Sequence, residues 1–215
     1  MASTAPQRVS RLQWRPVESR ETILDFWFGR EPDDATAARE RAELWWSKDP
    51  ATDREIRRRF EPLVTAAESG ELEPWRVQPR GRLALILLTD QFPRNIYRDR
   101  PAAFRFDGLA RALCLEGLEE GADRKLRPIE RVFFYLPLEH SEDLEHQDRC
   151  VALFEQLADE VAPEQRATFA NYHDYALRHR VVIERFGRFP HRNAILGRES
   201  TAEELEFLEQ PGSSF

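Results

Sequence analysis

Apolar residues recur every three to four positions along most of this chain, and Gly and Pro separate the recurrences. That spacing predicts one amphipathic helix after another. Ser19 to Phe28 reads as a helix closed by Gly29, and Asp33 or Asp34 can cap a second running to about Trp46. Thr52-Asp53-Arg54-Glu55 has the form of a capping box. It opens a helix with Ile56, Phe60, Leu63, Val64 and Ala67 on one face, kinked at Pro62 and ended by Gly70. Pro79 can start the next helix, whose Leu83 to Leu88 stretch is apolar on all sides and so reads as central. Pro93 should stop it, with Phe92 pushed out of the helical region.

The second half continues in the same way. Asp107 can cap a helix to Glu120, closed by Gly121, and Pro128 opens a short one through Tyr135, broken at Pro137. Ser141 can cap a longer helix bearing Leu144, Val151, Phe154, Leu157 and Val161. Pro163 opens the next, with Phe169, Tyr172, Ala176, Ile183 and Phe186 inward and Gly187 at its end, and Ser200-Thr201-Ala202-Glu203 caps a last one. No alternating strand pattern occurs. The expected class is all-α, with short connections that imply stacked antiparallel hairpins. No repeat of fixed period is visible. Residues 1–17 lack periodicity and read as a flexible tail, with Trp14 docked on the body; residues 18–215 read as a single helical domain.

Composition narrows the function. The chain has 215 residues, 41% hydrophobic and 33% charged, which is a globular rather than a disordered balance. A formal charge of −7 makes nucleic acid an unlikely partner, because phosphate neutralisation needs a positive surface. Among the basic residues only Lys48 and Lys125 are lysines. The arginine excess is read either as codon bias or as selection for bidentate recognition of carboxylate or phosphate. Cys114 and Cys150 are far apart and read as free, buried thiols. Arg8, Arg11, Arg15 and Arg20 interrupt any signal-peptide core, and the apolar run at Leu83 is too short to span a bilayer, so the expectation is a soluble cytoplasmic protein without membrane contact.

Three segments carry polar groups that a core would not choose: Asp90-Gln91-Phe92-Pro93-Arg94-Asn95-Ile96-Tyr97-Arg98, Tyr135-Leu136-Pro137-Leu138-Glu139-His140-Ser141-Glu142-Asp143, and Arg185-Phe186-Gly187-Arg188-Phe189-Pro190-His191-Arg192-Asn193. In the first and third, Phe-Pro is followed within three residues by Arg-Asn. Those arginines either satisfy helix-end carbonyls or form a clamp for an anion. Asp90, Arg94, Asn95, Arg98, His173, Arg188, His191, Arg192 and Asn193 are the candidate binding residues. Glu139, His140 and Asp143 are the candidate proton-transfer residues, since a His beside a carboxylate is a common acid–base pairing. His146 stands three residues after Asp143 and four after Glu142, but no second Glu-x-x-His exists, so no metal is assigned. No cofactor is assigned either: GxSxG, Walker A and GxGxxG are all missing.

These three segments, with Leu24-Asp25-Phe26-Trp27-Phe28-Gly29, resemble the bacterial family known as domain of unknown function 924, from about Ile23 to Glu204. The resemblance implies a fold similar to tetratricopeptide-like helical arrays. It carries no settled activity, so no catalytic role transfers. Three expectations follow. The first is a small-molecule binder or enzyme acting on an anionic ligand through an arginine-rich pocket with Glu/His proton carriers. The second is a helical-array module that grips a peptide or protein. The third, from an association of remote fungal relatives, is an aminoacyl-tRNA-dependent transferase. Whether the chain is an enzyme, and its oligomeric state, stay open.

Overall fold

The structure, a computed structural model, describes residues 18–213. The tail and its Trp14 fall outside them. Among the described residues the fold is all-helical, without strands. The helices are α1 (Arg20–Phe28), α2 (Asp34–Trp46), α3 (Pro50–Glu68), α4 (Pro79–Ile86), α5 (Phe92–Ile96), α6 (Asp107–Glu119), α7 (Pro128–Glu139), α8 (Leu144–Glu160), α9 (Arg166–Phe186), α10 (Asn193–Leu196) and α11 (Ala202–Leu208). Short 3-10 turns at Glu73–Val77, Pro101–Phe104, Asp123–Lys125 and Pro190–Arg192 join some of them. None of these helices is long and apolar enough to cross a membrane.

Caps set most of the boundaries. Ser19 and Thr22 exchange bonds in a capping box, Asp33 accepts from Thr36 N–H, and Gly187 ends α9 in the left-handed region at φ 66°. Five predicted starts shift, and the first is that of α9, which begins at Arg166 after a turn at residues 163–165 rather than at Pro163. Asp49, not Thr52, caps α3, taking the Ala51 and Thr52 amides with Pro50 at the first helical position. Asp107 is the first residue of α6 rather than its cap, because its carboxylate is drawn to Arg94. Asp143, not Ser141, caps α8. Thr201, with Glu204, forms the last capping box, one residue later than expected.

Two prolines predicted to break helices do not. Pro137 sits inside α7, where every residue from Ile129 to Glu139 is buried. An interior proline costs about 3 kcal/mol. Burying each large apolar side chain of α7 returns roughly 1.5–3 kcal/mol, so Val132, Phe133, Phe134, Leu136 and Leu138 together outweigh it. Pro93 is accommodated differently. Residues Leu87–Gln91 form a π turn in which Phe92 N–H bonds Leu87 O, five residues back. This widened turn makes room for the ring, so α4 runs on into α5 and Phe92 stays helical at φ −63°, ψ −37°.

α4 and α7 lie at the centre, packed on each other and flanked by α1, α2, α6 and α8. Trp27, Trp45, Phe28 and Phe133 meet edge to face, and Trp45 Nε1–H donates to Trp27 O at 3.0 Å. Cys114 and Cys150 are free and buried. A smaller cluster of Val182, Ile183 and Phe189 seats the C-terminal turns.

Arg82 is only 2% exposed, crossing α6 to reach Leu113 O at 3.2 Å and Glu120 at 2.6 Å. It fits because Gly117 has no side chain: a Cβ there would stand 2.5 Å from Phe134 Cζ and 2.6 Å from Arg82 Cδ. Ala is favoured over Gly in a helix by about 1 kcal/mol, but both crowded neighbours are buried and held, and overpacking costs about 1–3 kcal/mol. Gly117→Ala should therefore lower the urea-derived unfolding free energy by about 1–2 kcal/mol. An unchanged or higher midpoint would contradict this packing.

Candidate functional site

The π turn before Pro93 carries Asp90, whose side chain is fully buried. His140, at the C-terminus of α7, places Nδ1 2.8 Å from Asp90 Oδ1. Gln91 Nε2–H donates to Oδ2 at 2.6 Å, and Arg94 Nη1 lies 3.2 Å from Oδ1 while donating to Asp90 O at 2.6 Å. Burial opposes charge on Asp90, but the Arg94 guanidinium and the hydrogen bonds outweigh it and hold the carboxyl well below the usual range. On His140, burial and Arg94 together exceed the pull of Asp90, so its pKa falls and the ring is neutral at neutral pH. A carboxylate only accepts, so the proton of the neutral ring is on Nδ1 and Nε2 keeps its lone pair.

The third segment closes the arrangement. Arg192, in the Pro190–Arg192 turn, donates to His140 O at 3.0 Å and lies 3.7 Å from Asp107 Oδ2. Its guanidinium is sandwiched between Phe104 and Phe189, 4.8 and 4.4 Å from the ring centroids. Burial and Arg94 lower its pKa to about 10, which leaves it charged. Asp107 also takes Arg94 in a bidentate pair at 2.9 and 3.1 Å. These groups flank an open cleft of about 410 Å³, with Phe104, Asp107 and Arg111 on one side, residues 140–143 and His146 on another, and Arg192 and Leu196 on the third. Ser141 Oγ and His146 Nδ1 are 2.9 Å apart at its edge. Ser141 is only 3% exposed, which suits a hydroxyl that ties the turn to α8 better than a nucleophile. Among the described residues no three His, Cys, Asp or Glu side chains stand together as a metal site.

Of the residues singled out in the sequence, Asp90, Arg94, His140, Asp143 and Arg192 converge here. His191, its ring tilted against Phe189 at 5.6 Å between centroids, sits just behind, its pKa lowered to about 4 by burial and Arg192. The others go elsewhere. Asn95 and Arg98 both grip Asp53, at 2.9 Å and 2.7–2.8 Å, and so fasten α5 to α3. Arg188 pairs with Glu204 on α11, and Asn193 donates to Ser200 Oγ at 3.1 Å. His173 lies half-buried on α9, away from the cleft walls. Asp143 spends its carboxylate on the Glu145 and His146 amides. Arg111 was missed: it stands alone on α6 without a motif, yet it lines the cleft and makes no ion pair among the described residues.

Glu139 also departs from expectation. It is buried behind His140, outside the cleft lining, 3.6 Å from His179 Nδ1, which itself bonds Tyr175 O at 2.8 Å. Burial, then the neighbouring Asp90 charge, raises its pKa to about 8, while burial lowers that of His179 to about 3. The unfolded chain releases this proton near pH 4.3 and the folded chain holds it to about 8. The folded state thus binds more protons across that window, and its stability falls as pH rises. Glu139→Gln should gain stability over the parent between pH 5 and pH 8, by a few kcal/mol at most. Urea titrations at both pH values check this, and a difference independent of pH would refute the protonated Glu139.

Comparison with known proteins gives a family and a fold and adds no activity. The family described as "bacterial protein of unknown function (DUF924)" matches residues 23–212. The solved structure of a protein of unknown function from Agrobacterium tumefaciens, ATU0120, is 38% identical, with a TM-score of 0.76 over 89% of this chain and 97% of that one. No protein of curated function matches. The chain belongs to the DUF924 family of bacterial proteins.

Proposed function

We propose that the cleft is the active site of an enzyme acting on a small molecule that bears a carboxylate or phosphate group. The observation that carries this reading is the 2.8 Å hydrogen bond between His140 and the buried Asp90 carboxylate at the edge of the cleft. A carboxylate behind an imidazole fixes ring and tautomer, and leaves Nε2 to take a proton from a bound molecule. The imidazolium so formed faces a full negative charge on Asp90, which stabilises it. The pair handling the proton is therefore Asp90 with His140, and Glu139 is a buried neighbour.

Arg111 and Arg192 would hold the anionic group. Arg111 brings an uncompensated charge to the wall, and Arg192 is oriented by two aromatic rings and the His140 carbonyl. A volume of about 410 Å³ suits a metabolite-sized ligand. Asp107, Glu142 and Asp143 also face the cleft, but Arg94, Arg198 and the α8 amides already engage them.

Carboxylate and phosphate metabolites screened by thermal shift and turnover test this reading. At least one should raise the melting temperature of the wild type and be converted. Arg111→Gln should weaken its binding by roughly tenfold or more. His140→Gln should keep binding and lose about 100-fold or more in turnover. If no anion raises the melting temperature, or His140→Gln turns over as the parent does, the reading fails.

A further inference from the structure

A second hollow, of about 150 Å³, opens on another part of the molecule, between the C-terminal end of α6, the Asp123–Lys125 turn, α7 and α8. Its walls are unusually cationic for a chain of net charge −7: Arg124 comes from the turn, Arg131 from α7 and Arg149 from α8. Asp123 is the carboxylate in the lining, and it already accepts the buried Tyr135 hydroxyl at 2.7 Å. Arg131 is buried and fixed from two sides, donating to Tyr135 Oη at 2.9 Å and to Glu160 at 2.6 Å. Glu160 therefore offsets Arg131. Arg124 and Arg149 are exposed, and neither makes an ion pair among the described residues.

We infer that this hollow is a binding site for a phosphate group, separate from the cleft. Like-charged guanidiniums that share a hollow repel one another, and a bound anion removes that repulsion. Three guanidiniums against the Asp123 and Glu160 carboxylates leave the hollow with a net positive charge, and the planar forks of Arg124 and Arg149 suit phosphate oxygens. The volume is below the roughly 300 Å³ at which sites for whole small molecules begin, so one phosphate group enters and any body attached to it stays outside. Arg131, held by Tyr135 and Glu160, gives the floor a fixed donor while the two exposed arginines close from the rim.

Calorimetric titration with inorganic phosphate at constant ionic strength tests the assignment. The wild type should bind saturably, and the Arg124→Gln/Arg149→Gln double variant at least about tenfold more weakly. Both positions are exposed, so the double variant should keep the parent's circular dichroism. In the Arg111→Gln background, which weakens anion binding in the cleft, saturable phosphate binding should remain and the double variant should still weaken it about tenfold. A competing titration with adenosine monophosphate separates the sources: displacement of phosphate identifies a phosphorylated metabolite, and its failure identifies the free ion. Absence of saturable phosphate binding, equal binding by the double variant, loss of binding in Arg111→Gln instead, or acetate binding as tightly as phosphate would each overturn the site.

Discussion

A carboxylate sealed from water is the constraint around which this molecule is organised. Asp90 has no exposure, and an unpaired charge there would cost several kcal/mol. Three neighbours prevent that: Gln91 and His140 donate to it, and Arg94 stands over it. Through Arg94 and His140, distant parts of the chain are drawn in. Arg94 continues to Asp107 at the start of α6, and the His140 carbonyl takes Arg192 from the turn after α9. Segments some fifty residues apart along the chain are thus joined by satisfying one buried charge. The π turn that tolerates Pro93 is the backbone element that carries Asp90. A proline that would ordinarily end a helix coincides with the widened turn, a feature often found at functional sites.

The arginine excess is largely accounted for by the same economy. Arg59 pairs with Glu18, Arg98 with Asp53, Arg188 with Glu204 and Arg198 with Glu142, each through two hydrogen bonds that lock distant elements together. Most guanidiniums are therefore internal fasteners. Of the arginines that make no ion pair among the described residues, Arg111 stands in the cleft and Arg124 and Arg149 stand at the second hollow. Burial depresses the pKa values of His140 on the cleft wall and of His179 and His191 behind it, so His140 faces the cleft as a neutral imidazole beside the Arg192 cation.

Helix existence was legible from apolar spacing, caps and glycines, and the three polar segments were legible as places where a core pattern is interrupted. What local rules could not show was where tertiary burial overrides them. Pro137 reads as a break, and only the complete burial of α7 explains why the helix continues. Asp107 reads as a cap, and its carboxylate is instead claimed by an arginine thirteen residues earlier. Asn95, Arg98 and Arg188 share a motif with Arg94 and Arg192, but their partners Asp53 and Glu204 lie on remote helices that no spacing predicts. Arg111 and Phe104 belong to no motif, and they enter the cleft only because α6 and the preceding turn fold against α7 and α10.

Nitrogen-15 NMR of the histidine rings tests the buried pairing most directly. At neutral pH His140 should be a neutral ring protonated on Nδ1, with that proton held in a strong hydrogen bond and lost from the spectrum in Asp90→Asn. A His140 ring protonated on Nε2 alone, or charged at neutral pH, would contradict the account of how this carboxylate is satisfied and of how the cleft obtains its base.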